Sequence, residues 1–184
     1  MAYASLAKIK EHLNISGTSE DAFLTSLQGE TDAAIDAYCG REDGFDSASH
    51  TEYIDGGGES VVMLSHTPVT AVASVYDDLD GDWASGDLLA ATDYRAVQST
   101  GELVHKTGSF LDGTGNLKVT YTGGYSSTPS DIELASIRLI GKFFNLRRSG
   151  GVRQMSAGAM NLTFEFGMPE DVKTILDKYR RLDV

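Results

Sequence analysis

The segment LKVTYTGGYSSTPSDIELASIRLIGKFFNLRR, residues 117–148, constrains the fold more than any other part of the sequence. In residues 117–122 apolar and polar side chains alternate, which is the period of a β-strand with one buried face. Gly123-Gly124 then predicts a turn, and Ser130-x-x-Glu133 is the pattern of a capping box at a helix start. Apolar residues cover a wide face of the helix that follows, so we expect most of that helix to be covered. The segment predicts a strand that leads into a buried central helix, on which a core could form.

Further helices are predicted on both sides of this segment, and short strands are predicted before it. Residues 5–14 form a short helix, and a second helix starts at a Thr18-x-x-Asp21 capping pattern and ends at Gly40, which suits left-handed geometry. A last helix follows Pro169. The predicted strands are Thr51–Ile54, Ser60–Leu64, Val69–Tyr76, Tyr94–Val97, Glu102–Val104 and Leu117–Thr122. Their connections are too short for crossover helices, so antiparallel pairing is expected.

The fold class predicted from this order is α+β. It has N-terminal helices, a small central antiparallel β-rich region, a long central helix and a C-terminal extension that ends in a helix. We expect residues 1–148 to form a core domain and residues 149–184 to form a glycine-punctuated arm with the terminal helix. Apolar residues alternate along this arm, and it contains few polar residues. We therefore do not expect it to fold entirely against its own domain. These apolar positions are Met160, Leu162, Phe164 and Phe166.

The charge balance limits the partners of the chain. The sequence has 15 Lys and Arg against 27 Asp and Glu, a net charge of −12. This balance argues against wrapping of nucleic acid, although it is compatible with DNA that passes nearby without being gripped. The single cysteine, Cys39, forms no internal disulfide and is predicted to be a small buried residue. No segment has the pattern of a signal peptide or a transmembrane helix, which predicts a soluble protein made in a cytoplasm.

The densest cluster of charge is the acidic segment from Asp77 to Asp82. Asp78, Asp80 and Asp82 have the alternating spacing of a calcium-binding loop. An EF-hand, however, needs glycine at the sixth position and glutamate at the twelfth, where this chain has Trp83 and Leu89. Because the Asp80-Gly81 pair is also a hairpin turn signal, two interpretations stay open: a solvated acidic hairpin and a weak cation site.

No other pattern in the sequence predicts catalysis. The four histidines, His12, His50, His66 and His105, share no metal-ligand spacing and are predicted to be surface or interface residues. The sequence has no nucleophile elbow, no phosphate-binding loop and no dinucleotide fingerprint. We therefore expect no enzyme activity, no catalytic residue, no cofactor and no metal site.

The order of these features resembles the head–tail connector (adaptor or head completion) proteins of tailed bacteriophages. The resemblance rests on LAKIKEHLNISGTSEDAFLTSLQGETDAAIDAYCGR, TEYIDGGG, VVMLSHTPVTAVASVYD, LKVTYTGGYSSTPSDIELA, residues 157–164 and MPEDVKTILDKYRR. It covers most of residues 5–181. The segment from Asp77 to Tyr94 differs most from the pattern of that family.

The resemblance implies a structural virion protein that catalyses nothing. Such proteins form a closed ring, usually of twelve subunits, beneath the portal. The ring extends the DNA channel and joins the capsid to the next neck or tail protein. The expected partners are other copies of the chain, the portal protein and that neck or tail protein. DNA passes through the channel without specific binding, and no membrane is involved. The expected location is the neck of the virion, assembled in the host cytoplasm.

In related connectors the C-terminal segment is implicated in portal docking, so the resemblance implies an interface there. Its residues in this chain are Val172, Ile175, Leu176, Tyr179, Arg180 and Arg181. The alternating positions Met160, Leu162, Phe164 and Phe166 are predicted to contact the portal or a neighbouring subunit. The alternative is that the last helix packs on its own domain. Alternative functions are a neck stopper or tail-completion protein, a calcium-dependent β-rich binding module, and, least favoured, a hydrolase with scattered carboxylates.

Overall fold

The computed structural model describes residues 2–41, 43–148, 154–157, 160–163 and 167–180. In this part of the chain the α-helices are α1 (Leu6–His12), α2 (Asp21–Cys39), α3 (Ser130–Arg148) and α4 (Glu170–Leu176), and a 3-10 helix (Asp177–Tyr179) extends α4. The strands are β1 (Ala48–Ile54), β2 (Val61–Met63), β3 (Val69–Asp77), β4 (Tyr94–Ala96), β5 (Glu102–His105), β6 (Leu117–Gly123), β7 (Gln154–Ala157) and β8 (Met160–Thr163). The predicted α+β class is confirmed.

The chain forms two compact units. The helical unit consists of residues up to Gly44 together with residues from Thr128 onward, and the β unit consists of Phe45–Ser127. The segment 117–148 is therefore divided, because β6 belongs to the β unit and α3 to the helical unit. The strand contributes Leu117, Val119 and Tyr121 to the core of the β unit, and the helix contributes Ile140 and Phe144 to that of the helical unit. The compact units also do not divide at residue 148, since α4 packs against α2 and α3.

The β unit consists of two antiparallel three-stranded sheets. In sheet one the strand order is β1-β6-β3, and in sheet two it is β2-β5-β4. Burial alternates along β6, as its sequence predicts, with Leu117, Val119 and Tyr121 completely covered. The inner faces of both sheets share one core, made of Val62, Leu64, Val69, Val75, Tyr94, Leu103, Phe110, Leu117, Val119 and Tyr121.

Gly123 and Gly124, at the end of β6, allow the backbone to approach neighbouring segments closely. A Cβ atom on Gly123 would lie 2.1 Å from the carbonyl oxygen of His66. Gly124 has φ of 104°, and its Cβ atom would lie 2.3 Å from the carbonyl oxygen of Asp46. Only glycine fits at either position without a backbone shift, so the predicted turn is confirmed and its cause is close packing as well as conformation.

The ends of the helices follow the sequence signals only in part. Gly40 ends α2 in left-handed geometry, with φ of 65°, as predicted. At the start of α2, however, Glu20 occupies the cap position without a side-chain cap bond, so the predicted Thr18–Asp21 cap is wrong. Asp21 instead pairs with Lys10 at 2.7 Å. The Glu133 carboxylate, predicted to cap α3, pairs with Lys8 Nζ at 2.6 Å.

The core of the helical unit lies between α1, α2 and α3. Its buried residues are Ala4, Ile9, Leu24, Leu27, Ile140 and Phe144. Gly29 lies on the open side of α2, since no atom is within 4 Å of where its Cβ atom would sit.

Candidate functional site

The C-terminal segment, predicted to dock on the portal, packs on its own unit through α4. Val172 and Leu176 are completely buried. The Tyr38 hydroxyl donates to Asp177 Oδ1 at 2.8 Å, and Arg41 Nε donates to the Tyr179 carbonyl at 3.1 Å. These bonds join the 3-10 helix that follows α4 to α2 and to the residue after its cap. The alternative in which this helix packs on its own domain accounts for Val172 and Leu176, which present no surface to a partner.

The other predicted residues of this segment are more accessible. Ile175 and Tyr179 are half-buried and Arg180 is exposed. The Arg180 guanidinium lies 5.7 Å from the centre of the Tyr38 ring, a cation–π distance that orients it at the surface. Arg181 lies outside the described residues. The interface role of Ile175, Tyr179 and Arg180 stays a prediction.

The arm contains a β-hairpin formed by β7 and β8. In its register Met155 is opposite Leu162, and Ala157 is opposite Met160. Of the predicted interface residues, Met160 and Leu162 therefore lie in β8, whereas Phe164 and Phe166 lie outside the described residues. The interface role of all four stays a prediction.

The acidic segment after β3 forms a braced loop. Asp78 is 4% exposed, and its two carboxylate oxygens accept the amides of Asp80 at 2.8 Å and Trp83 at 2.7 Å. The Asp82 carboxylate accepts the amide of Ala84 at 2.8 Å. Aspartate commonly caps its own turn in this way. The alternating spacing of the aspartates is thereby explained by turn chemistry, and the prediction that the segment is simply solvated is wrong for Asp78.

The same loop brings three carboxylates together. Oxygens of Asp78, Asp82 and Asp87 lie within 4.8 Å of one another. Burial alone would raise the pKa of Asp78, but the amides of Trp83 and Asp80 hold its pKa below the ordinary value. The pKa of Asp80 is raised, first by its hydrogen bond with Asp78. Three carboxylates are the kind of ligand that a hard cation accepts, but turn amides already engage oxygens of Asp78 and Asp82.

Two of the four histidines lie inside the β unit. The rings of His50 and His66 stack with centroids 3.7 Å apart, and His66 Nδ1 lies 2.8 Å from Glu52 Oε1. The Tyr121 hydroxyl donates to the same Glu52 oxygen at 2.5 Å and accepts the His66 amide at 2.9 Å. Both histidines are half-buried and belong to a polar network on the inner side of sheet one. That they are surface or interface residues stays a prediction.

Glu52 is the centre of this network. Burial by itself would raise its pKa, but hydrogen bonds from Tyr121, the Ser65 amide and His66 outweigh burial and lower the pKa. Glu52 and His50 are two residues apart on β1, so both side chains lie on the inner face of sheet one. That alternation is visible in the sequence, whereas the approach of His66 from another loop is not. The hydrogen bonds of this network are those of a structural brace between β1, β6 and the loop after β2.

A groove lies on the surface of the helical unit. Its volume is about 510 Å³, and His12, Arg138, Lys142 and Asn145 are among the residues that line it. Both cations have partners, since Arg138 pairs with Asp171 at 2.7 Å and Lys142 donates to the Gly167 carbonyl at 2.7 Å. The described lining residues include no serine, cysteine or threonine nucleophile beside a base, so the groove has no arrangement for covalent catalysis.

The acidic charge of the chain is concentrated in the β unit. Residues 45–127 contain three Lys and Arg against twelve Asp and Glu, so this unit carries −9 of the total −12. The helical unit carries the remaining −3 and most of the cations. Separately, none of the described helices is both long enough and apolar enough to cross a lipid bilayer.

Solved structures of related architecture come from the neck of a virus-like particle. The chain is similar to a protein in the neck of the empty gene transfer agent particle computed with C6 symmetry, with a TM-score of 0.58 and 21% identity over 97% of this chain and 89% of that one. The same values relate it to the neck of the native particle computed with C12 symmetry. A chain in the virion of the native particle matches with a TM-score of 0.57 and 22% identity, at the same coverage. At this identity the likeness shows a shared fold. No curated protein matches the chain.

The family comparison covers almost the whole sequence. The model of the head completion protein family matches residues 3–182. This match confirms the resemblance predicted from the order of the sequence motifs, and with it the role of a structural virion protein that connects head and tail. Because the match extends far beyond half of the sequence, the chain belongs to the head completion protein family.

Proposed function

We propose that this chain forms a closed ring of twelve copies in the neck of the virion, beneath the portal, where it extends the DNA channel and joins the head to the next neck or tail protein. The observation that carries the proposal is the family match over residues 3–182. The neck structures of similar fold, computed with sixfold and twelvefold symmetry, support a ring. A cyclic ring needs two different surfaces that meet head to tail on each subunit.

The charge distribution suits a ring through which DNA slides. The β unit carries a net charge of −9, so phosphates that pass near it are repelled instead of bound. Binding of duplex DNA needs cations that replace condensed counterions, and the three Lys and Arg of this unit are too few for that. We therefore propose that DNA is a passing cargo and not a specific ligand.

The proposed portal-docking surface contains fewer residues than the sequence alone implies. Val172 and Leu176 are buried in the helical unit and are left out of it. Its members are the accessible Ile175, Tyr179 and Arg180, together with Met160 and Leu162 of strand β8. Arginine and tyrosine are enriched at the centres of protein interfaces, because they combine a polar group with a large contact area.

The proposed role requires no chemistry at the chain itself. Family members and neighbours of similar fold are structural proteins of virions and necks. Two polar clusters of the described residues serve structural ends, since Asp78 caps its own turn and Glu52 braces β1, β6 and the loop after β2. We propose a purely mechanical connector.

The experiment that tests the ring is cryo-electron microscopy of the neck of particles that contain this chain. The expected result is density for twelve copies in contact with the portal. A neck in which the chain occupies a lower layer, away from the portal, would instead identify a stopper or tail-completion protein. A neck without the chain would refute the proposal.

The docking surface is tested by co-expression of the full chain with the portal protein of the same particle. Arg180→Glu is expected to weaken co-purification with the portal, because the change replaces a cation at the proposed contact. Lys106→Glu is the matched control, since it makes the same charge change on the β unit at an exposed position. Equal loss with both variants would refute a specific role for Arg180.

A further inference from the structure

The outer face of sheet one is an exposed and nearly uncharged surface. Its register places nine residues in three rows across β1, β6 and β3. The rows are Ser49–Thr122–Ala71, Thr51–Thr120–Ser74 and Tyr53–Lys118–Tyr76. Two rows contain only small residues, and the Thr51 and Thr120 hydroxyls are 3.1 Å apart. Lys118 is the one charged residue among the nine, and its Nζ lies 5.5 Å from the ring centres of Tyr76 and Trp83.

The outer face of sheet two carries an exposed apolar strip. Val61 and Met63 on the edge strand β2 are 42% and 47% exposed, and Val104 on β5 is the cross-strand partner of Val61. The charged residues on this face are Arg95 and Glu102, one of each sign. With Tyr53, which is 59% exposed on sheet one, these two faces present three of the large exposed apolar side chains of the β unit.

The absence of acidic residues from sheet one is unexpected in this unit. Twelve Asp and Glu lie in residues 45–127, yet none occupies the nine positions of the outer face. Copies of a chain with a net charge of −12 repel one another. A contact between copies is therefore favoured where this charge is missing. The outer face of sheet one has no acidic residue, and on the outer face of sheet two Arg95 offsets the charge of Glu102.

The two faces also have the relative direction that a ring needs. Because the inner faces of both sheets share one core, their outer faces point to opposite sides of the β unit. In a ring of twelve, each copy is rotated by about 30° from the next, so the two contact surfaces of a subunit point in nearly opposite directions. Sheet one and sheet two differ in composition, as a head-to-tail contact requires.

We propose that the outer face of sheet one in one copy packs against the outer face of sheet two in the next copy, and that this contact closes the ring. The inference rests on the ring of the proposed function and names the surfaces that form it. Thr51 and Tyr53 of one copy face Val61 and Met63 of its neighbour. The apolar strip and the Tyr53 ring are thereby removed from water, and none of the nine residues of the outer face of sheet one is a carboxylate.

Cross-linking of assembled necks tests this contact directly. A full chain with Thr51→Cys and Met63→Cys is co-expressed with its portal and treated with a short bis-maleimide linker. The native Cys39 does not interfere, because it is completely buried and burial raises the pKa of its thiol to about 11. The expected product is a ladder of covalent multimers. Each single substitution, and a chain with Met63→Cys and Leu111→Cys, is expected to give no ladder; Leu111 is similarly exposed, at 45%, but lies on neither face.

Charge placed on either face provides a second measurement. Thr51→Glu or Met63→Glu alone is expected to reduce incorporation of the chain into necks roughly tenfold or more, because a carboxylate would be buried against an apolar strip. Combining Thr51→Lys with Met63→Glu is expected to restore incorporation, since the two new charges then face each other between copies. Leu111→Glu is the matched control and is expected to leave incorporation unchanged.

The outcomes separate this contact from the ring itself. Necks that contain the ring but yield no ladder from the double-cysteine chain would overturn the contact and leave the proposed function intact. A dimer formed by either single-cysteine chain would also overturn it, because like faces would then meet. Cross-links to the portal alone would assign these faces to the portal instead. Absence of the chain from wild-type necks would refute the proposed function.

Discussion

The Ser136 hydroxyl donates a hydrogen bond to Asp32 Oδ1 at 2.9 Å and so joins α3 to α2 inside the helical unit. Both residues are buried. The other oxygen of the same carboxylate accepts the Tyr3 amide at 3.1 Å. One acidic side chain therefore connects the N-terminal segment and two helices, and its hydrogen bonds satisfy a group that would be costly to bury alone.

Replacement of Ser136 by alanine is expected to destabilise the helical unit. The substitution removes a donor from a buried carboxylate, which typically costs about 1–3 kcal/mol of the free energy of unfolding. Urea denaturation at neutral pH, followed by the helical circular dichroism signal, measures the effect. Ser126→Ala is the control, because Ser126 is exposed. Equal stability of the two variants would contradict the structural role of this bond.

Asp32 is expected to give the stability a distinct pH dependence. Burial raises its pKa above the ordinary value of 3.8, although the bonds from Tyr3 and Ser136 act in the opposite direction. The folded state thus holds this proton more tightly than the unfolded state. The stability that Asp32 contributes is full below pH 3.8 and is lost as the pH rises through the folded pKa.

The variant Asp32→Asn isolates this contribution. The asparagine does not titrate. Relative to wild type, the variant is therefore expected to gain stability, that is, a larger free energy of unfolding, as the pH rises from about 4 to about 7. Loss of an acceptor adds a pH-independent offset. Denaturation of both proteins across this range provides the measurement. A difference that stays constant with pH would mean that the carboxylate is not perturbed by burial.

Glu52→Gln is expected to destabilise the β unit. The stability that Glu52 contributes depends on pH in the opposite direction to that of Asp32. The pKa of Glu52 is lowered, because hydrogen bonds from Tyr121, Ser65 and His66 outweigh burial, which acts to raise it. The stability from this carboxylate is therefore present above its unfolded pKa of about 4.5 and is lost as the pH falls through the folded value. We expect a loss of about 1–3 kcal/mol at pH 7, decreasing under acidic conditions.

The fluorescence of Trp83, the single tryptophan, reports unfolding of the β unit in this experiment. Glu59→Gln is the matched control, because Glu59 is exposed and the change removes the same charge. If Glu52→Gln and Glu59→Gln lowered stability equally at pH 7, net charge and not the network would be responsible.

Gly29→Ala is expected to stabilise the chain. Gly29 lies within α2, and no atom is within 4 Å of the added Cβ atom. Alanine is favoured over glycine in a helix by about 1 kcal/mol, so the melting temperature should rise. Gly17→Ala is the informative comparison, since Gly17 has equally open space but a φ of 80°, which alanine resists. A rise in melting temperature for both variants would contradict the backbone argument.

Strand positions were predictable from the sequence where one face is buried. The six strands of the β unit lie within three residues of their predicted ends, because alternation of apolar residues reports burial directly. Helix starts were less predictable. The capping pattern at Thr18 fails because Asp21 is paired with Lys10 of α1. A local pattern cannot include a partner supplied by another element.

Local periodicity, composition and the order of motifs were enough to predict most elements of this protein, its α+β class, its strong negative charge and its membership in a connector family. The tertiary structure sets where burial and charge are placed. It divided the strand and helix of residues 117–148 between two units, buried Val172 and Leu176, and enclosed His66 with Glu52. It also left the outer face of sheet one free of acidic residues. Such relationships arise from strand pairing and packing between distant segments, which no local pattern encodes.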